Sequence, residues 1–222
     1  ATFVAPGAEA TVEAMPRKLH ALLPADALER LEAVAREHNA TLATALQAAW
    51  AVLLSRITGN QVVTFGETVS GRPAELTGVE SMVGLFINTL PVVVDVDPAR
   101  TVGGLLEALQ ADKVKVLDYQ HIPLPKIFAA AGVAASFDTL MVHESYPINT
   151  DSLSTADAGA VGGLEIVGIE ATDATHYPLN MITAPVADGL AVDLKYLPSA
   201  FSAEHVQQYS DALVQILTSF AM

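Results

Sequence analysis

The sequence contains no cysteine and has no long apolar run. The absence of cysteine excludes a disulfide framework, a thiolate metal site and a cysteine nucleophile. The most apolar segment, residues 41–58, is interrupted by Thr44, Gln47, Ser55 and Arg56, so it falls short of the ~20 apolar residues that span a bilayer. The N-terminus lacks the basic start and apolar core of a secretory signal. We therefore expect a protein that does not enter a membrane and that works in the cytoplasm.

Basic residues are also scarce. Eleven Lys and Arg stand against 25 Asp and Glu, which gives a formal net charge of −14. This charge repels a phosphate backbone and argues against nucleic acid as a partner. The basic residues that lie close in sequence are Arg17 with Lys18, and Lys113 with Lys115 and the nearby Lys126. They could simply solvate the surface, or they could form a local patch for an anionic partner.

The hydrophobic pattern predicts five helices and six strands. Helical spacing covers residues 24–39, 41–57, 101–119, 124–131 and 202–220, with Thr41 and Ser202 as caps and Trp50 in the core. Strand patterns cover residues 61–69, 88–96, 138–146, 164–170, 178–184 and 190–197, and two of the last four should form a hairpin. Residues 147–163 are small and polar and predict a flexible loop. This order predicts an α/β fold, a two-layer sandwich of mixed β-sheet with packed helices.

Sites for metal and nucleotide chemistry are not evident. His20, His143 and His205 have no carboxylate or histidine at metal-ligand spacing, so no metal site is predicted. Neither a GxSxG turn nor a phosphate-cradling glycine loop is present. Hydrolase and nucleotide-binding functions are therefore disfavoured.

The segment VTFGETVSGRPAELTGVESMVGLFINTLPVVV, from Val63 to Val94, resembles the condensation domains of nonribosomal peptide synthetases. It combines a strand that ends in SGRP, a spacer and then GLFINTLP. Two later segments, DYQHIPLPKI and DATHYPL, resemble further motifs of that family, in the same order. The opening helical pair resembles the start of the family's C-terminal lobe. The resemblance implies that residues 1–222 form a chloramphenicol acetyltransferase-like lobe.

The family's active-site motif, HHxxxDG, is supplied by an N-terminal lobe. This sequence has no two adjacent histidines, and its only Asp-Gly pair, Asp188 and Gly189, has no histidine near it. The resemblance therefore implies a C-terminal lobe that is inactive alone. It would form one wall of the tunnel in which carrier-bound aminoacyl and peptidyl thioesters are joined. The alternatives are a catalytically silent platform that recruits a carrier protein or a tailoring enzyme, and a self-sufficient acyltransferase.

The same resemblance names partners and site residues. The partners are the N-terminal lobe, peptidyl carrier proteins and neighbouring synthetase domains; no cofactor is bound directly, and the phosphopantetheine arms of the carriers bring the substrates. The carriers, which are usually acidic, could dock at Lys113, Lys115 and Lys126. The residues expected at the tunnel or the lobe interface are Ser70, Gly71, Arg72, Pro73, Gly84, Phe86, Asn88, Thr89, His176 and Tyr177.

Several of these residues have two possible roles. Gly71 would supply backbone angles that other residues avoid. Arg72 could pair with a carboxylate across the lobe junction or stabilise its own loop. Asn88 and Thr89 could face the tunnel or complete backbone hydrogen bonds at the start of a strand. His176 stands with Tyr177 where relatives often carry Arg and Asn, and it could face the tunnel or be structural.

Overall fold

Six strands form one mixed sheet in the computed structural model, which describes residues 2–6, 15–72, 76–144 and 177–222. The sheet order is β1-β6-β5-β4-β2-β3. Strands β2, β4 and β5 run parallel to one another, whereas the β1/β6, β5/β6 and β2/β3 pairs are antiparallel. The strands are β1 (Arg17–Pro24), β2 (Val62–Val69), β3 (Asn88–Asp95), β4 (Thr139–His143), β5 (Leu179–Val186) and β6 (Gly189–Tyr196).

Five α-helices lie in the described residues: α1 (Ala25–Glu37), α2 (Leu42–Thr58), α3 (Val102–Val116), α4 (Leu124–Ala131) and α5 (Ala203–Phe220). The predicted caps are confirmed. The side chains of Thr41 and Ser202 accept the backbone N–H groups of Thr44 and His205. Gly59 ends α2 in the left-handed region, at φ +71°.

The core lies between one face of the sheet and helices α1, α2, α3 and α5. Val63 and Phe65, alternate residues of β2, face these helices and are fully buried. Helix α2 is apolar on almost every side, and Trp50 in its middle is fully buried, as predicted. The predicted two-layer sandwich with a mixed sheet is therefore confirmed, as is the hairpin, which joins β5 to β6.

The other face of the sheet carries an aromatic group and the short helix α4. The ring of Phe137 lies over Gly66 of β2, where a Cβ atom would be only 2.5 Å from the ring. Phe128 of α4 contacts Phe137 edge to face, with 5.9 Å between ring centroids. Helix α4 is therefore on the opposite side of the sheet from the four core helices.

Strand β1 was not predicted. Its core-facing residues Leu19, Ala21 and Leu23 alternate with the outward-facing Lys18, His20 and Leu22, and the apolar Leu22 in an outward position shortens the visible period of two. Arg17 and Lys18 therefore belong to a strand, where Lys18 pairs with Asp193 of β6 at 3.1 Å.

Two element lengths also differ from the prediction. Helix α3 ends at Val116 and is followed by a 3₁₀ turn, Leu117–Tyr119. Strand β4 ends at His143 rather than at Tyr146. The predicted strand 164–170, the predicted loop 147–163, Pro73 and His176 lie outside the described residues.

Among the described helices, none is by itself long and apolar enough to cross a membrane; only α1 and α2 taken together, across a 100° bend, reach the required length and composition.

Candidate functional site

The candidate site is the loop that follows β2 and leads into β3, called here the β2–β3 loop (residues 70–87, without 73–75). Gly71 begins it at φ +62°, in the left-handed region that favours glycine. A Cβ atom at this position would lie 1.8 Å from the carbonyl oxygen of Phe86. The two ends of the loop therefore touch through their backbones, and the predicted conformational role of Gly71 is confirmed.

Arg72 holds the loop together from within. Its guanidinium donates hydrogen bonds to the carbonyl oxygens of Val79 and Met82, the latter at 3.2 Å from both Nη atoms. The same guanidinium lies 4.3 Å from the centroid of the Phe86 ring, in cation–π geometry. Within the described part of the chain Arg72 pairs with no carboxylate. These contacts show that Arg72 stabilises its own loop.

Asn88 connects the loop to a distant turn. Its Nδ2 donates to the carbonyl oxygens of Gln120 and Ile122, each at 2.8 Å. These carbonyls belong to the turn between α3 and α4, in the DYQHIPLPKI segment. The Asn88 amide therefore satisfies backbone groups of another segment rather than of its own strand, and it fixes the start of β3 against that turn. Thr89, the next residue, is half-buried and pairs with Thr68 in the ladder.

The loop exposes an apolar ridge, defined here as Val83, Leu85 and Ile87. These side chains are 104%, 92% and 63% exposed. Gly84 was expected to permit close backbone approach. In the structure it makes room for the ring of Phe86, which lies 3.2 Å from the position that a Cβ atom of residue 84 would take. The motif resemblance pointed to Gly84 and Phe86 but not to the ridge itself. The available signal was an apolar run, VGLFI, in a segment without helical or strand period.

The structure does not bring Tyr177 to this loop. Tyr177 precedes β5, whereas the loop follows β2, and because these strands are parallel the two positions lie at opposite ends of the sheet. The Tyr177 ring stacks on Phe137, with centroids 5.6 Å apart, and burial raises the pKa of its hydroxyl. Ser70 is exposed at the end of β2.

The three candidate docking lysines have different environments. Lys113 Nζ pairs with Glu67 Oε1 at 2.9 Å, and the two side chains are only 21% and 13% exposed. Lys115 is exposed and pairs with Asp112 at 2.7 Å. Lys126 is exposed and has no ion pair in the described residues. Lys113 is therefore a largely buried, paired side chain and not a freely solvated cation.

His143 lies near the Lys113–Glu67 pair. Its Nδ1 is 2.9 Å from the hydroxyl oxygen of Thr183. Burial lowers the pKa of His143, Lys113 lowers it further, and Glu67 opposes both effects. The imidazole is thus held neutral at pH 7. Among the residues that the structure describes, no three His, Asp or Glu side chains are grouped as a metal site would require.

Comparison with known proteins identifies the family. A sequence model of the condensation domain matches residues 8–222. Chondramide synthase cmdD of Chondromyces crocatus is 35% identical over 204 residues, which cover 90% of this chain and 5% of that protein. Surfactin synthase subunit 3 of Bacillus subtilis (strain 168) is 34% identical over 181 residues, or 82% of this chain and 14% of the relative. The chain thus spans a small part of the length of these synthases.

Solved structures show the same fold. The first condensation domain of the CDA synthetase superposes with a TM-score of 0.73 at 18% identity, over 99% of this chain and 47% of that one. A four-domain nonribosomal peptide synthetase bound to AMP and glycine gives a TM-score of 0.78 at 16% identity, over 93% of this chain and 17% of the synthetase. The chain therefore belongs to the condensation-domain family of nonribosomal peptide synthetases.

Proposed function

We propose that the chain is the C-terminal lobe of a condensation domain and forms one wall of the tunnel in which carrier-bound thioesters become an amide. One observation carries this proposal: the match to a solved condensation domain covers 99% of this chain but only 47% of that domain. The absence of adjacent histidines from the sequence agrees with it. On this proposal the chain is one lobe, and the HHxxxDG motif would come from the other half.

In the reaction the acceptor amine attacks the donor thioester carbonyl, so that a C–N bond forms, the C–S bond breaks and the amine proton is lost as the thiol leaves. No residue of this chain is assigned to the proton transfer. The lobe contributes shape: the contact of Gly71 with Phe86 and the hydrogen bonds of Arg72 preorganise the β2–β3 loop. A rigid wall orients substrates at less entropic cost than a mobile one.

The apolar ridge supports a partner lobe on this side. Covering a fully exposed Val, Leu or Ile contributes roughly 1.5–3 kcal/mol per side chain. Val83 and Leu85 gain nothing from the described part of this lobe, because they are almost fully exposed. An exposed apolar ridge on a braced loop is typical of an interaction surface. We assign it to the N-terminal lobe.

The experiment measures the association of the chain with a separately expressed N-terminal lobe by calorimetry or sedimentation. Leu85→Asp should weaken association at least tenfold, because a charge would be buried at the interface. Leu76→Asp is the matched control, since Leu76 is 43% exposed in the same loop but outside the ridge. If both variants associate as tightly as the parent chain, the ridge is not part of the lobe interface.

The alternative, a silent platform that recruits a carrier protein or a tailoring enzyme, shares this surface and fold. The two are distinguished by the sequence of the lobe that precedes this one in the synthetase. An intact HHxxxDG supports the enzyme, and a degenerate motif supports the platform.

Carrier docking is proposed at Lys126 together with Lys115, with Lys113 as the third candidate. Charge reversal of Lys126 and Lys115 should slow association with an acidic carrier and flatten its salt dependence, without affecting folding, because exposed charges contribute little to stability. Lys113→Glu would place a second carboxylate beside the largely buried Glu67. It should therefore also reduce the stability of the fold. If the Lys115/Lys126 double variant associates with the carrier at an unchanged rate, these lysines only solvate the surface and do not form a docking site.

A further inference from the structure

A cavity of about 370 Å³ lies near the C-terminal ends of helices α2 and α5, beside the start of α3. It is called here the arginine cavity, after Arg56 and Arg100 in its lining. The apolar part of the lining is continuous with the core and includes Val52, Leu105 and Phe220. This volume and a mostly apolar lining are typical of sites for small molecules. The cavity lies at the far end of β3 from the β2–β3 loop, roughly 25 Å along the strand, so it is separate from the proposed tunnel wall.

Both arginines of the cavity lack a partner. In the described part of the chain neither Arg56 nor Arg100 makes an ion pair or a side-chain hydrogen bond. By contrast, Arg30 and Arg36 pair with carboxylates, and the guanidinium of Arg72 donates to carbonyl oxygens. The chain carries a net charge of −14, so carboxylates are plentiful. Two unpaired guanidinium groups at one cavity therefore leave a counter-charge to be supplied from outside the described residues.

Helix stability does not account for both charges. Arg56 lies in the last turn of α2, where a cation suits the helix dipole. Arg100 instead precedes Thr101, the N-cap of α3, where a cation opposes the dipole. The stem of Arg100 lies along the first turn of α3, with its Cγ 3.3 Å from the position that a Cβ atom of residue 104 would take. The position of Arg100 is therefore unfavourable for α3 unless an anion accompanies it.

The charges of the lining select a monoanion. Among the described lining residues, Asp97 carries the one acidic group. Its Oδ1 accepts the backbone N–H of Ala99 at 2.9 Å, and it forms no ion pair with either arginine. Two guanidinium groups and one carboxylate give the lining a net charge of +1. A carboxylate carries the single negative charge that neutralises this lining, whereas a phosphate monoester carries up to two at pH 7.

We propose that the arginine cavity binds a small monoanion in which a carboxylate is attached to a compact apolar group. The carboxylate pairs with the exposed guanidinium groups of Arg56 and Arg100, whose N–H donors match its oxygens. The apolar group packs against Val52, Leu105 and Phe220. The proposal does not depend on the proposed function, since it uses other residues and another ligand.

The test titrates the full chain with hexanoate, the neutral hexanamide and the cation hexylamine, while NMR follows the side-chain Nε–H of Arg56 and Arg100 and the backbone amide of Leu105. We expect saturable shifts with hexanoate, and binding at least tenfold weaker with hexanamide or hexylamine. Butanoate should bind roughly tenfold more weakly than hexanoate, because it buries two fewer methylene groups. Equal binding of the amide or the amine, or hexanoate shifts that do not saturate, would overturn the proposal and leave both arginines as solvated surface charges.

Three variants and a control locate the binding. Arg56→Gln and Arg100→Gln each remove one positive charge, and each should weaken hexanoate binding about tenfold. Asp97→Asn keeps an acceptor for the Ala99 N–H but removes the negative charge, so it should tighten hexanoate binding severalfold. Arg17→Gln is the matched control and should change nothing, because Arg17 is exposed, unpaired in the described residues and outside the cavity. Unaltered affinity in folded Arg100→Gln, or in folded Asp97→Asn, contradicts the assignment.

Discussion

The contact between Gly71 and Phe86 makes one substitution in the β2–β3 loop unusually costly. An alanine at position 71 would occupy the left-handed region, at about 1–2 kcal/mol for a residue with a Cβ atom. Its Cβ would also lie 1.8 Å from the Phe86 carbonyl oxygen, so the backbone must retreat by at least about 1.2 Å to reach the 3.0 Å below which such contacts essentially never occur. Overpacking of this kind adds roughly 1–3 kcal/mol.

Gly71→Ala should therefore lower the free energy of unfolding by about 3 kcal/mol, or release the loop locally if opening costs less. Gly59→Ala and Gly78→Ala are matched controls, because both positions have positive φ (+71° and +79°) but nothing lies within 4 Å of their Cβ sites. They should cost only about 1 kcal/mol, since alanine also reduces the entropy of the unfolded chain.

Urea unfolding compares the three variants, and amide hydrogen exchange at Ser81 and Met82 reports on the loop. These amides donate to Gly78 and Val79 at 3.0 and 3.2 Å in the folded loop. Gly71→Ala should raise their exchange at least tenfold. If Gly71→Ala matches Gly59→Ala in both measurements, the close contact with Phe86 does not exist in solution and the braced loop is refuted.

Three further predictions concern the neighbouring contacts. Arg72→Lys should speed amide exchange in the same loop severalfold, because an ammonium cannot reproduce the forked hydrogen bonds and the stacking on Phe86; an unchanged exchange pattern argues against bracing by Arg72. Asn88→Asp should lower the free energy of unfolding in urea by about 1–3 kcal/mol, because it points a carboxylate at two carbonyl oxygens. Asn60→Asp, at an exposed position, should lower it little. Equal losses in both variants would contradict the contact between Asn88 and the α3–α4 turn. Because the pKa of His143 is lowered in the fold, the unfolded chain binds more protons just below pH 6.5, so stability should fall as the pH drops through that range. His143→Phe should reduce this loss in pH-dependent melts, and the same pH dependence in both proteins would count against it.

Periodicity predicted most of the fold, because most elements bury one regular face. Helix α2 was evident from its apolar run and its Thr41 cap, and the β5–β6 hairpin from two strand patterns close in sequence. Strand β1 was missed because its polar/apolar alternation is short and ends at the outward-facing Leu22, and because its strand character depends on pairing with β6, more than 160 residues away in the chain.

The site was predictable as a segment but not as a set of contacts. SGRP and GLFINTLP located the loop, and the conformation of Gly71 followed from the residue type. Whether Arg72 turned outward or inward could not be decided, because its acceptors are backbone carbonyls that carry no sequence signal. For the same reason the partners of Asn88, two carbonyls in a distant turn, were not foreseen. Lys113 looked like a surface cation because its ion pair with Glu67 joins elements 46 residues apart.

Under the proposed function, the chemistry belongs to a lobe other than this one. The direct measurement is mass spectrometry of peptide formation from two carrier proteins loaded with donor and acceptor aminoacyl groups. The chain alone should give no dipeptide above the spontaneous rate. The chain together with an N-terminal lobe carrying HHxxxDG should give product, and substitution of the second histidine of that motif by alanine should abolish it. Dipeptide formed by this chain alone, well above the spontaneous rate, would contradict the account.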